Sequence, residues 1–149
     1  MPGALALLAA TLWAAAFQGD TRHGVPADLR TYPQGTPQEA LTSALKAADA
    51  GRFDYLAAQL ADPRFIDERV RRLYGGHFEQ QVEDTRDRLD PGTVKLLRRF
   101  LSEGTWTTEK DQAFVALKDV PERGVYLRRV DGRWYLENRS GPPPSPPRK

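Results

Sequence analysis

The chain has 149 residues, 40% apolar and 28% charged, a balance that fits one ordinary domain with a buried core and excludes a wholly disordered chain. Lys and Arg number 22 against 20 Asp and Glu, a net charge of only +2, which is no electrostatic footprint for nucleic acid. There is no cysteine and there are only two histidines; disulfides, thiol catalysis and thiolate metal sites are excluded, and little is left for imidazole chemistry.

Residues 2–17 carry no charge, and Leu5, Leu7, Leu8, Leu12 and Trp13 sit there in an Ala-rich run. The run ends in Ala14-Ala15-Ala16 before polar residues, so residues 1–16 read as a secretory signal peptide, although no Lys or Arg precedes the apolar stretch. It is short of the roughly 20 apolar residues of a comfortable membrane span. Left uncleaved, it becomes an N-terminal anchor and the only expected membrane attachment. The protein is expected to be secreted or periplasmic, tethered if the segment stays. Residues 17–35 hold Gly19, Gly24, Pro26, Pro33 and Gly35 without an apolar period and read as a linker. Residues 36–139 form the globular domain. Residues 140–149 are proline-rich and expected to be extended and solvated.

The first two thirds of the domain have helical period. Thr36, Pro37 and Glu39 spell a cap, a first-turn proline and a capping-box acid, and Ala40, Leu41, Ala44, Leu45 and Ala48 follow on one stripe. Gly51 stops that helix, and a short one carries Phe53, Leu56 and Leu60. Asp62-Pro63 opens a helix with Phe65, Ile66, Val70, Leu73 and Tyr74 on one side. Gly75-Gly76 breaks it, and Phe78, Val82 and Leu89 make a weaker stripe. Asp90-Pro91 opens the last helix, lined by Val94, Leu97, Phe100 and Leu101 and ended by Gly104.

The final third has strand character. Thr105 to Thr108 and Ala113 to Leu117 are β-branched or aromatic runs, and Val125 to Val130 and Arg133 to Asn138 flank Asp131-Gly132, a dipeptide suited to a type I′ turn. That turn sets the register: Arg129 faces Trp134 and Leu127 faces Leu136, so Val125, Leu127, Trp134 and Leu136 share the buried face. The class is α+β: several N-terminal helices followed by an antiparallel sheet of three to four strands.

Three stretches, Thr36-Pro-Gln-Glu-Ala-Leu, Ala50-Gly-Arg-Phe-Asp-Tyr-Leu and Val130-Asp-Gly-Arg-Trp-Tyr-Leu, resemble the nuclear-transport-factor-like (ketosteroid-isomerase-like, cystatin-like) superfamily. The resemblance implies a cone-type α+β roll in which a curved sheet wraps the helices and often encloses a pocket. It covers both ends of the domain, about a third of it, while residues 62–103 depart from the pattern in being helical and long for this group. Enzymes of that group use an Asp base or an Asp-His pair in the pocket. No catalytic residue carries over here, because no Asp or Glu stands on the strand positions expected to be buried.

Candidate sites are few. His23 falls in the linker, and His77 follows a Gly-Gly break as an exposed first-turn residue. Glu79, Glu83, Asp84 and Asp87 could attract a hard cation, yet Arg86 and Arg88 interleave with them, so a solvated face laced by ion pairs is the plainer reading and no metal or other cofactor is expected. Arg69, Arg71, Arg72, Arg98 and Arg99 sit among nearly as many acids, so no nucleic-acid partner is expected. Trp106, Arg129 and Trp134 form the candidate ligand-binding set. Arg129 can lie on the Trp134 indole, and its charge on an apolar face asks for a carboxylate or an anionic ligand; the alternative is two core tryptophans with an arginine stem along them. Pro143, Pro146 and Arg148 fit a P-x-x-P-x-R ligand pattern, against the plainer reading of an unstructured terminus.

The reading that results is an exported, non-catalytic binding domain for a small apolar or anionic ligand or an envelope partner protein. A cone-fold isomerase or dehydratase acting on a small apolar substrate, and a purely structural interaction domain, are the alternatives. An open cavity, a cavity holding one titratable group and a filled interior discriminate among the three.

Overall fold

The computed structural model describes residues 20–139 together with 141 and 142. The stretch expected to be a signal peptide, 1–16, and the end of the tail at 143–149 lie outside the described residues. The element order is β1 (Thr21–Arg22), β2 (Val25–Pro26), α1 (Pro37–Asp49), α2 (Phe53–Tyr55) continued by a π-helical turn (Leu56–Leu60), α3 (Pro63–Leu73), α4 (Phe78–Arg88), α5 (Pro91–Glu103), then β3 (Thr105–Glu109), β4 (Gln112–Leu117), β5 (Val120–Val130) and β6 (Arg133–Leu136). The class is α+β, as expected from the sequence, and the four C-terminal strands form an open antiparallel meander in the order β3-β4-β5-β6.

Local chemistry explains where the elements begin and turn. Thr36 accepts from the Glu39 amide at 3.1 Å, Asp62 from Arg64 at 3.1 Å and Asp90 from Thr93 at 2.7 Å. Each is a side-chain cap on an amide that the helix itself leaves unpaired, and each is followed by proline in the first turn. At the β5–β6 turn Asp131 and Gly132 both have positive φ, 50° and 79°, the type I′ geometry whose twist matches paired strands. Arg129 faces Trp134 and Leu127 faces Leu136, the register read from the sequence.

The core has two parts. Leu41 and Leu45 of α1 and Phe100 of α5 pack on Val115, Leu127 and Trp134 from the inner sheet face. α5 reaches the sheet closely at Gly104, where a Cβ would collide with the Val115 side chain and the Phe100 carbonyl. The second part joins Val25, Tyr32, Ala44, Ala47, Tyr55 and Leu60. That part corrects the linker expectation for the residues from 20 to 35. They form the β1–β2 hairpin, turned by His23 and Gly24 at φ 50° and 79°, and they bury Val25, Ala27, Tyr32 and Gln34. Tyr32 stacks on Tyr55 with centroids 4.3 Å apart, and the Asp28 amide donates to the Tyr55 hydroxyl.

Two glutamines tie this segment down. Gln34 Nε2 donates to the carbonyls of Gln59 and Trp134, Gln59 Nε2 donates to those of Asp20 and Val25, and Arg133 Nη2 donates to both glutamine side-chain oxygens. Gln34 and Gln59 are 2% and 0% exposed, so each buried amide is matched by partners rather than left to cost desolvation. The Trp134 amide donates to the Gln34 carbonyl and the Asp62 amide to the Leu136 carbonyl. These contacts cover the free edge of β6, which would otherwise be open to strand addition.

Candidate functional site

Five helical segments and the end of β6 surround a half-open cavity of about 190 Å³. Its floor is apolar: Ala44, Leu45 and Ala48 from α1, Leu56 from the π-turn, and Leu136 from β6. Phe65 and Ile66 of α3 close one side, and Val94 and Leu97 of α5 the other. Small residues at 44 and 48 on α1 leave the space that larger side chains would fill. The helices within residues 62–103 therefore build walls around the cavity instead of plugging it.

One wall is polar and already wired. Arg69 Nε donates to Gln81 Oε1 at 3.0 Å, and its Nη2 reaches the Tyr74 hydroxyl and Asp84 Oδ2, each at 3.2 Å. Arg88 meets the same Asp84 oxygen at 3.0 Å. Gln81 Nε2 donates to Thr85 Oγ1, and the Thr85 hydroxyl donates to the Gln81 carbonyl. The Arg69 guanidinium also lies 5.5 Å from the Phe65 ring centroid and 5.8 Å from that of Tyr74. Two guanidinium groups thus share one carboxylate at the rim of an apolar space. The Arg69 guanidinium is held in addition by its neutral hydrogen bonds to Gln81 and Tyr74, the arrangement that fixes a rotamer before a ligand arrives.

The set expected from the sequence lies elsewhere. Trp134 is 3% exposed and part of the sheet-side core. Arg129 does lie on it, with the guanidinium 5.6 Å from the ring centroid, but its charge is met by Asp111 in the β3–β4 turn, Nε to Oδ1 at 2.9 Å. The carboxylate that the sequence asks for is thus supplied by a turn of the sheet. Trp106 is half-buried on β3, paired with Val115; three strand spacings separate it from β6, about 14 Å. Trp106, Arg129 and Trp134 do not converge on a cavity among the described residues, and the two tryptophans pack as core. His77 is exposed at the start of α4. His23 stacks on Phe78, centroids 4.4 Å apart, and its Nε2 contacts Asp67 at 2.8 Å, where Arg22 also binds. No three His, Asp or Glu side chains are grouped to hold a metal among the described residues.

The polar wall escapes a sequence reading of α4 that rests on its apolar stripe and its charged residues, because Gln81 and Thr85 belong to neither. Gln81 and Thr85 occupy its inward positions, 3% and 8% exposed, while Val82 is only half-buried. The signal was present: two uncharged polar residues at i and i+4 on the face that also carries Phe78 and Leu89. Leu73, assigned to the inner side of α3, is 63% exposed, because the helix ends there and Gly75-Gly76 turns the chain away.

Comparison with protein-family models, with curated proteins and with solved structures finds no match for this chain. No described helix is long and apolar enough to cross a membrane.

Proposed function

We propose that this domain binds, without transforming, a small apolar molecule with one acidic or hydrogen-bonding end. The apolar part would occupy the space beside Ala44, Ala48 and Leu97 and the polar end would meet Arg69 and Arg88. The observation that carries the reading is the pairing of an apolar floor with a single pre-wired polar wall in one cavity. Its size sets the ligand class. About 190 Å³ lies below the ~300 Å³ at which drug-sized pockets begin and above the ~150 Å³ that accepts a benzene-sized guest. A binder fits better than an enzyme because Asp84, which lines the cavity, is clasped by Arg69 and Arg88. A general base must reach the substrate proton with a free carboxylate oxygen, whereas Asp84 Oδ2 is bonded by both arginines. With the export segment read in residues 1–16, binding would take place outside the cytoplasm.

Ligand-observed NMR with benzoate and benzyl alcohol tests the proposal. Both probes should give saturable signals with the native chain, and Ala48→Phe should abolish them while far-UV circular dichroism stays unchanged. Leu97→Trp serves the same purpose from the opposite wall. Arg88→Ala should weaken benzoate several-fold more than benzyl alcohol. Absence of binding by both probes, or binding indifferent to both filling variants, overturns the reading.

A further inference from the structure

The outer face of the sheet carries an unexpected burial. By strand alternation Gly124, Tyr126 and Arg128 point away from the core that Val125 and Leu127 enter, yet Tyr126 is only 3% exposed. Its ring lies along the strand over Gly124, where an added Cβ would sit 3.5 Å from the ring edge. Phe114 on β4 is its cross-strand partner, with centroids 6.1 Å apart. The Arg139 guanidinium covers the ring at 4.0 Å. The Tyr126 hydroxyl is shared between two successive carbonyls of the proline-rich tail, Gly141 at 3.0 Å and Pro142 at 2.6 Å.

These are the elements that recognise a polyproline II strand: a shallow aromatic trough for the pyrrolidine rings and a tyrosine hydroxyl for the backbone carbonyls. Such a strand has no internal hydrogen bonds, so its carbonyls are free to accept. The glycine under Tyr126 and the small Ala116 opposite it keep the trough shallow. The chain is heading the right way. After Leu136 it runs antiparallel to β5, toward lower β5 numbers, and the Glu137 amide still donates to the Tyr126 carbonyl. Seven residues follow Pro142. At about 3.1 Å each they reach about 22 Å, enough to cross the ~14 Å between the outer strands of a four-stranded sheet.

We propose that the outer face of β4 and β5 is a polyproline-binding platform and that its resident occupant is this chain's own tail, residues 141–147. The tail then covers an aromatic surface that would otherwise face solvent and competes with any proline-rich segment offered from outside. Tethering sets the strength of that competition, because a short linker holds the tail at an effective concentration of about a millimolar.

Full-length chains test this by NMR. In the native chain, proline ring protons of residues 143–147 should give nuclear Overhauser contacts to the Phe114 and Tyr126 rings. In a tail variant carrying Pro143→Ser, Pro144→Ser, Pro146→Ser and Pro147→Ser, those contacts vanish and the Phe114 and Gly124 resonances shift. The synthetic peptide GPPPSPPRK should bind that variant saturably and bind the native chain at least about tenfold more weakly. Tyr126→Phe, which removes only the hydroxyl, should weaken the peptide several-fold in the variant background. Identical Phe114 and Gly124 resonances in native and tail-variant chains, or peptide affinity equal in both, overturns the proposal. The tail variant leaves the folded domain untouched, so the test stands if Tyr126→Phe fails to fold.

Discussion

The two sides of α1 are built from similar residues and do different things. Toward the sheet, Leu41 shares one core cluster with Leu127, Val115 and Trp134, all four buried. Toward α3, α4 and α5, Ala44 and Ala48 face a cavity whose far wall is Arg69, Gln81, Asp84 and Thr85. The difference teaches that apolar patterning governs the first side and residue size the second. Small side chains on α1 and bonded polar ones on α4 keep a space open that larger apolar residues would close.

Deleting matched groups on the two sides should break the comparison if it is wrong. Leu127→Ala on the sheet side should cost about 2–5 kcal/mol, because a fully enclosed site cannot collapse around the loss. Leu97→Ala, at a wall that already borders empty space, should cost about 1 kcal/mol. Urea denaturation midpoints measure both. The next effect in size belongs to the polar wall. Gln81→Leu removes the acceptor of Arg69 Nε and the donor to Thr85, and should destabilise by about 1–3 kcal/mol. A gain in stability would mean the wall is held by packing alone.

How far the sequence reveals this contrast follows from the same physics. The caps at Thr36, Asp62 and Asp90 and the Asp131-Gly132 turn are local devices, set by neighbours in the chain, and each forms as read. The inner face Val125, Leu127, Trp134 and Leu136 follows from one turn and a period of two. The residues from 20 to 35 were illegible because Val25, Ala27, Tyr32 and Gln34 have no common period. Their burial is tertiary, with Tyr55 stacked on Tyr32 and Gln59 bonded to both Val25 and Gln34. The π-turn at Leu56–Leu60 buries five consecutive residues, which no helical stripe describes. At the site, Trp106, Arg129 and Trp134 drew notice as rare residue types, whereas the cavity is made by alanines and by glutamine and threonine on a weak stripe.

Smaller effects sharpen the picture at the periphery. Burial alone would raise the Asp67 carboxyl, but hydrogen bonds and charge from Arg22 and His23 outweigh it and hold the group below the ordinary aspartate value. A depressed folded pKa contributes stability above the unfolded value near 4 that is lost as pH falls through the folded one. Because the group is half-exposed, the contribution is about 1 kcal/mol or less. Stability should therefore fall more between pH 5 and pH 3 in the native chain than in Asp67→Asn, as read by urea midpoints across that range. The smallest change is expected at the tryptophan–arginine pair. Arg129→Ala should cost about 0.5–1 kcal/mol, since its ion pair with Asp111 is exposed and its contact with Trp134 is one-sided. Ligand binding in the helix-lined cavity should be unchanged, which probe titration of that variant checks.

The account's central claim is that this molecule keeps space on the helix side of α1 and none on the sheet side. Diffraction from crystals under xenon pressure tests it most directly, because xenon enters apolar cavities of this size without needing a specific ligand. The account predicts one dominant xenon site bordered by Ala44, Ala48, Leu97 and Leu136, and none between Leu41 and Trp134. Xenon lodged on the sheet side, or an empty helix side at full pressure, would contradict it.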